Sequence, residues 1–269
     1  MVFTDRIALI TGASSGIGWE LALALARKQC HVALLARRQE KLEDLARQCR
    51  ALGVQAVVAP CDVTDRQSMI ETIARVQETL GPIDLLIANS GVGVPTNLEP
   101  MNWDDVDRMI RVNYLGVVYA IETVLPQMLA RGRGHLAAVS SLAAYKGMPG
   151  ESGYCSSKAA VNTFLEGLRI QLRSRGIHVT TICAGFVLTA MTEKHGFTMP
   201  FLLQPPEAAH RIVRALERRT KVYNFPWPTW FLMKLTCWVP DWILARVLTG
   251  YTGDSAQPKR KHTHVSPRA

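Results

Sequence analysis

Six short apolar stretches, Ile7 to Ile10, Val32 to Ala36, Ala56 to Ala59, Leu85 to Ala88, His135 to Val139 and Val179 to Cys183, recur along this chain with helix-like segments between them. A strand with one wet face alternates polar and apolar side chains, so runs this continuous belong to strands covered on both faces. Strands of that kind are joined by crossover helices, and the connection is right-handed. The pattern predicts an α/β fold: a single doubly wound domain, with a parallel sheet, helices on both faces and its site at the carboxyl ends of the strands. At 269 residues and 48% apolar content, one such domain buries enough surface to be stable without staples. The sequence shows no internal repeat and no second core.

The first strand, Arg6 to Ile10, breaks into Thr11-Gly-Ala-Ser-Ser-Gly-Ile-Gly18 before a helix expected over Trp19 to Lys28. Glycines at 12, 16 and 18 allow a tight turn and a close backbone approach to a pyrophosphate, while the helix aims its first amides at the charge. A Gly/Ser loop that merely caps a helix has the same composition; the flanking strand and helix favour a phosphate cradle. The second strand, His31 to Ala36, ends where a dinucleotide fold selects its cofactor. A carboxylate there would hold ribose hydroxyls, but Ala36 is followed by Arg37 and Arg38, and no acid appears before Glu40. Guanidinium groups at that point suit the extra phosphate of NADP(H) rather than the diol of NAD(H), and the helix dipole gives no reason for a basic N-terminus.

Tyr154 and Lys158 lie four residues apart on one expected helix, 13 residues after Ser141. On one helix face the ammonium favours phenolate and lowers the hydroxyl's pKa, which makes Tyr154 a candidate proton donor near neutral pH. A hydride arriving at a carbonyl carbon leaves charge on oxygen, and that oxygen needs a hydrogen-bond donor and a proton. Ser141 and Tyr154 are the residues that can supply them. A lone Tyr-x-x-x-Lys is more often a solvated helix pair, so its weight comes from the other motifs.

Together these segments resemble the short-chain dehydrogenase/reductase family over residues 4–220, through Thr11 to Gly18, Asp62-Val63, Asn89-Ser-Gly91, Asn113, Ser141, Tyr154-x-x-x-Lys158 and Ala184-Gly185 in that order. The resemblance implies a Rossmann-type domain that acts on CH–OH groups with a nicotinamide cofactor. It implies that Gly12, Ser14, Ser15, Gly16, Ile17 and Gly18 hold the cofactor phosphates, with Arg37 and Arg38 at the ribose phosphate. Asp62 would accept a hydrogen bond from the adenine amino group with Val63 beside the ring, and Asn89 and Gly91 would steady the sheet and line the ribose. Asn113, on a long helix starting at Trp103, would hold a water linking Lys158 to solvent. Ser141 would bind the substrate carbonyl, Tyr154 would transfer the proton, Lys158 would also grip the nicotinamide ribose, and Gly185, Val187 and Thr189 would meet the nicotinamide end. Two stretches depart from the family pattern. Ala88 and Ser90 replace residues of Asn-Asn-Ala-Gly, which should remove one local hydrogen bond, and Ala184 replaces a proline, which should loosen the following turn by freeing φ. Family members often pair through the helices carrying Asn113 and Tyr154, so a homodimer or homotetramer is expected.

The six cysteines show no Cys-x-x-Cys and no zinc-like spacing, so no metal is expected, and Cys155 reads as a helix residue near a pocket because no base adjoins it. A strand beginning within the first ten residues leaves no room for a signal peptide, and a cytoplasmic location is expected. The net charge of +9 is spread through helices, with Lys259-Arg-Lys261 the compact cluster, and no nucleic-acid partner is expected. The dinucleotide-binding and catalytic domain is placed at residues 1–220. Within it, residues 190–206 read as a movable lid whose Met and Phe side chains suit an apolar ligand, with His195 facing solvent rather than acting as a second acid/base.

Residues 221–250 read as an aromatic helical segment with four of the six Trp, and residues 251–269 as a basic, disordered tail. Prolines and charges keep the aromatic stretch too short to cross a bilayer. Residues 225–248 suit peripheral contact with a membrane, where indole rings sit among headgroups; a wall over the cleft or a subunit contact fits the same residues. The expected function is NADP(H)-dependent interconversion of a carbonyl and a secondary alcohol on an apolar lipid-, acyl- or steroid-like substrate, with Tyr154 as general acid/base. The competing reading is a catalytically silent NADP(H)-binding regulator, which needs the cradle but not the set Asn113, Ser141, Tyr154 and Lys158.

Overall fold

A computed structural model of the chain describes residues 3–192 and 199–247. His195 and the tail at 251–269 therefore lie outside the described residues. Within them, seven parallel strands form one sheet: β1 (Ile7–Thr11), β2 (His31–Ala36), β3 (Ala56–Pro60), β4 (Leu85–Ala88), β5 (Gly134–Ser141), β6 (Ile177–Ala184) and β7 (Val222–Phe225), in the order β3-β2-β1-β4-β5-β6-β7. The order reverses between β1 and β4. Crossovers leaving to opposite faces open a crevice there, at the carboxyl ends of the strands.

Alternate residues of each strand feed two cores. Ala8 and Ile10 of β1 and Leu34 of β2 pack under α1 (Gly16–Ala26), α2 (Gln39–Ala51) and α7 (Pro205–Glu217), through Leu21, Leu25, Leu42, Leu45 and Ile212. Leu9, Leu35 and Leu86 pack on the other face under α3 (Arg66–Leu80), α5 (Gly116–Arg131) and α6 (Ser152–Gln171), through Met69, Ile73, Ile121, Val161 and Leu165. The unbroken apolar runs have this cause: no strand position of β1 or β4 faces water.

Four expectations need correction. The first helix starts at Gly16, not Trp19, and ends at Ala26: it begins directly at the turn glycine Gly16, which holds φ 57°, and the chain leaves through Gln29 at φ 60°. The long helix from Trp103 is interrupted: α4 (Trp103–Ile110) and α5 are separated by one π turn over Arg111–Leu115, and Asn113 sits in it. Residues beyond 220 do not lie outside the sheet. Val222–Phe225 is a seventh strand on β6, missed because Val-Tyr-Asn-Phe is short and carries a polar residue. Ala184 does not loosen a turn, since it is the last residue of β6 and pairs with Ser141 on one side and Phe225 on the other, while the Gly185 amide donates to the Phe225 carbonyl at 2.7 Å. A proline there would have no N–H to offer that ladder.

The C-terminal part continues as α8 (Trp227–Thr236) and α9 (Asp241–Val247). No helix among the described residues is long and apolar enough to cross a membrane.

Leu34 is fully buried in β2. Leu34→Ala should lower the unfolding free energy by about 2–5 kcal/mol in urea titration; a loss below about 1 kcal/mol would contradict its central position.

Candidate active site

The site begins where β1 runs out. Gly12 adopts φ +67°, a left-handed conformation that favours glycine, and a Cβ at Gly18 would come within 2.4 Å of the Gly12 carbonyl oxygen. The turn can close only without side chains at these points, and that leaves bare backbone facing the crevice. Asn89, at the end of β4, braces the turn from below: its Nδ2 donates to the Thr11 carbonyl at 3.0 Å and to that of Gly12 at 3.3 Å. The Thr11 hydroxyl oxygen accepts from the amides of Asn89 and Ser90 at 3.0 Å. With Asn89 doing this work, the sheet end is held although Ala88 and Ser90 depart from the family pattern.

Beyond β2, Arg38 folds back across the cradle. Its guanidinium donates to Ser14 Oγ at 3.0 Å and to Ser15 Oγ at 2.8 Å, so it is no solvated helix start. Arg37 instead approaches Asp62, with 3.7 Å between Nη1 and Oδ2. Both partners are well exposed, so this pair contributes little to stability. The other carboxylate oxygen of Asp62 accepts from the Thr64 amide and hydroxyl at 3.0 and 2.9 Å. Val63 is buried and packs beside Gly116.

Asn113 is fully buried. The π turn around it widens the helix, a distortion common at functional sites, and its amide is saturated: Oδ1 accepts from the Val92 amide at 2.8 Å, and Nδ2 donates to the Val92 carbonyl and to Ser157 Oγ, each at 2.9 Å. Ser157 passes this on by donating to the Tyr154 carbonyl at 2.7 Å. Asn113 thus ties the loop after β4 to the helix carrying Tyr154 and Lys158. Ser157 carried no sequence signal; a serine inside a helix is ordinary.

Ser141 closes β5, and its Oγ accepts from the Ala143 amide at 3.1 Å, which starts a short 3-10 turn over Leu142–Tyr145. The Tyr154 phenol and the Ser141 hydroxyl line the same cleft. Lys158 is buried, donates from Nζ to the Val139 carbonyl at 2.9 Å, and places Nζ 5.8 Å from the Tyr154 ring centre. The expected lowering of the phenol by this lysine is not what the cleft shows. Burial pushes the Tyr154 hydroxyl up to about 12, opposed by the Ser141 hydroxyl, and burial pulls Lys158 down to about 8. Desolvation outweighs the ammonium because that ammonium is itself desolvated and bound to a β5 carbonyl.

One continuous cleft of about 590 Å³ touches Gly12, Ser14 to Ile17, Arg37, Arg38, Asp62, Val63, Asn89, Gly91, Ser141, Tyr154, Lys158, Gly185, Val187 and Thr189. Of the residues expected in the site, Gly18 and Asn113 act from behind this surface. A nicotinamide dinucleotide fits this set: guanidinium groups at one end, a backbone cradle in the middle, and a phenol–hydroxyl pair with a lysine at the other. The cleft also takes in Met191 of the expected lid, and Val92, Gly93, Val94, Arg108 and Val112, which sequence reasoning missed. Of these Gly93 had a visible signal, as the second glycine of Gly91-Val-Gly93; a Cβ there would lie 3.2 Å from Met191 Sδ and 3.5 Å from Tyr154 Cδ2. The lid reading at 190–206 is described only in part. Leu203 bonds back to Phe186 and Leu188, joining the two ends of the segment, and Met191 reaches the cleft.

The cysteines among the described residues are all free thiols. Cys155 is buried and its thiol is pushed up by burial, which makes it inert beside Tyr154. No metal-holding group of His, Cys, Asp or Glu occurs among the described residues.

A doubly wound sheet with a glycine cradle and a Ser–Tyr–Lys cluster defines a dinucleotide-dependent oxidoreductase. A family model described as short chain dehydrogenase matches residues 6–199, and the chain belongs to the short-chain dehydrogenase family, whose members use nicotinamide cofactors. An uncharacterised oxidoreductase of Myxococcus xanthus is 40% identical over 222 residues, covering 82% of this chain and 88% of the relative. The glycine betaine reductase ATRR of Emericella nidulans is 37% identical over 225 residues, which is 80% of this chain but 18% of that longer protein. Among solved structures, an alcohol dehydrogenase from the archaeon Thermococcus sibiricus complexed with 5-hydroxy-NADP has a TM-score of 0.73 and 29% identity, covering 82% of this chain and 94% of the other. An NAD⁺-bound xylitol dehydrogenase has a TM-score of 0.76 and 26% identity, covering 83% and 98%.

The buried lysine leads to a pH prediction. A lysine held at about 8 when folded, against an ordinary value of 10.5, binds fewer protons in the folded state between those values, so folding gains stability as pH rises through that window. The difference in unfolding free energy between the cofactor-free protein and Lys158→Met should therefore increase from pH 8 to pH 10.5, at no more than about 1.4 kcal/mol per pH unit. A flat difference would place the ammonium in water.

Proposed function

We propose that this protein is an NADP(H)-dependent reductase that converts an apolar ketone or aldehyde to the alcohol, with Tyr154 as general acid. The observation that supports this reading is the phenol of Tyr154, which lines one cleft with Ser141 and Lys158 and is pushed up to about 12 by burial. A phenol so raised is protonated at neutral pH, which is the form needed to give a proton to oxygen. Bound NADPH supplies the hydride to the carbonyl carbon. Ser141 Oγ donates to the carbonyl oxygen, and Tyr154 Oη delivers the proton as charge builds there. Lys158, below its value of about 8, is charged at pH 7 and offsets the phenolate left behind. Asn113 positions this helix through Ser157 and Val92.

The choice of NADP(H) rests on Ala36 followed by Arg37 and Arg38, where an NAD-preferring chain carries a carboxylate. The apolar substrate rests on Val92, Val94, Val112 and Met191 beside the Tyr154 end of the cleft. A silent regulator would have no use for Ser141, Tyr154 and Lys158 gathered in one cleft.

Tyr154→Phe should lower turnover of an apolar ketone by roughly 10²–10⁴-fold while NADPH binding, measured by fluorescence titration, stays within about twofold. Turnover that survives the loss of the hydroxyl would sink the assignment, and NADPH binding without turnover over a broad ketone and aldehyde panel would favour the regulator. Arg38→Ala should weaken NADPH about 10- to 100-fold, the worth of one charge-assisted hydrogen bond, and leave NADH nearly unchanged. Equal losses for both cofactors would remove the case for NADP(H).

A further inference from the structure

The C-terminal helices present an apolar stripe outward. Trp227, Phe231 and Leu235 of α8 recur every four residues, and the stripe continues through Trp238 and Trp242 at steps of three and four. All five are exposed, Trp238 at 85% and Trp227 at 71% relative accessibility. Leu232 beside Phe231 is exposed too, while other side chains touch the protein. Thr229 is buried, Cys237 Sγ donates to the Tyr145 carbonyl at 3.3 Å, and Lys234 Nζ sits 4.3 Å from the Tyr145 ring centre. Lys146 fixes the next helix through Asp241 at 2.9 Å. The stripe is therefore the outer side of a docked element, not a core face left open by misfolding.

Charge decides what covers it. From residue 221 to the end the sequence holds seven Lys or Arg against two Asp and no Glu, a net +5 in 49 residues, more than half of the chain's +9. A second copy of this chain would carry the same net positive charge, and like charge opposes that pairing. An anionic lipid surface offers the opposite: negative headgroups for the cations, and an interfacial layer in which indole rings are favoured. The helices are short and carry exposed apolar and indole side chains, as in elements that lie in a membrane interface without crossing it.

We infer that the α8–α9 face is a peripheral docking surface for an anionic phospholipid bilayer. It is built on the 3-10 turn Leu142–Tyr145, which starts directly after Ser141, so docking sets the mouth of the cleft next to the lipid. The inference does not depend on the proposed reaction, since its test reads lipid binding and not turnover.

The full-length protein should co-sediment with vesicles of phosphatidylglycerol and phosphatidylcholine in equal parts, at least about tenfold more tightly than with phosphatidylcholine alone, because each cation near an anionic surface adds to binding. Its Trp emission should shift to the blue on binding. Trp238→Ser/Trp242→Ser should lose at least about tenfold in vesicle affinity and the blue shift, with an unchanged thermal midpoint, because both indoles are exposed. No binding to anionic vesicles would overturn the inference. So would binding that is unaffected by the double substitution, which would assign it to the basic tail alone. A concentration-dependent dimer in sedimentation velocity, abolished by Trp238→Ser/Trp242→Ser in a protein that ignores vesicles, would show that the stripe is an interface between copies.

Discussion

Covering a parallel sheet on both faces confines chemistry to the ends of its strands, and the rest of this structure follows from that confinement. Residues of β1, β2 and β4 feed hydrophobic cores on either side, so polar groups collect where the strands stop. The end of β1 becomes the glycine turn, the end of β4 supplies Asn89, the end of β5 supplies Ser141, and the end of β6 leads to Gly185 and Val187. Helix α6 crosses behind this row and is pinned to it by Lys158 on the Val139 carbonyl and by the Ser140 hydroxyl on the Lys158 carbonyl. The catalytic geometry is a by-product of how the sheet closes its polar accounts at one edge.

Burial then sets the proton inventory. Desolvation is the largest influence on Tyr154, Lys158 and the thiols of Cys155 and Cys183 alike, raising the acids and lowering the base. In the proposed reaction this is useful in one direction: a neutral phenol and a charged lysine coexist at pH 7, ready to give a proton and to balance the charge left behind. His135, at the opposite end of β5, shows the same physics without chemistry. It is neutral, and because the Thr180 hydroxyl donates to the Thr220 carbonyl, it is the His135 Nε2–H that donates to Thr180.

The C-terminal helices obey a different rule from the core. Helix α8 buries a single residue and α9 none, yet both are fixed by named contacts to Tyr145 and Lys146. Among the described residues, packing does not cover Trp227, Phe231, Trp238 or Trp242. The inferred lipid surface gives these side chains a use, and its attachment beside Ser141 links the periphery to the cleft.

Most of the fold was legible because period and continuity of apolar residues report burial directly; the first six strands and the crossover pattern follow from Ile7–Ile10, Val32–Ala36 and their successors. The glycine turn, the arginines after Ala36 and the Ser141, Tyr154 and Lys158 set were equally legible, since each depends on residue type at fixed local spacing. What could not be read is what depends on through-space neighbours. The strand Val222–Phe225 exists only because β6 offers it an edge, the π turn at Asn113 forms around a loop 21 residues earlier, and Arg38 is aimed by serines of a different strand end. The direction of the Tyr154 shift belongs to the same group: sequence places the lysine four residues away, but only the tertiary structure decides how far each group is desolvated and that the buried ammonium is held on a carbonyl of β5. Sequence alone determined the class of fold and the chemistry at hand, because these are local; tertiary structure decided the electrostatics, because burial is a property of everything that surrounds a group.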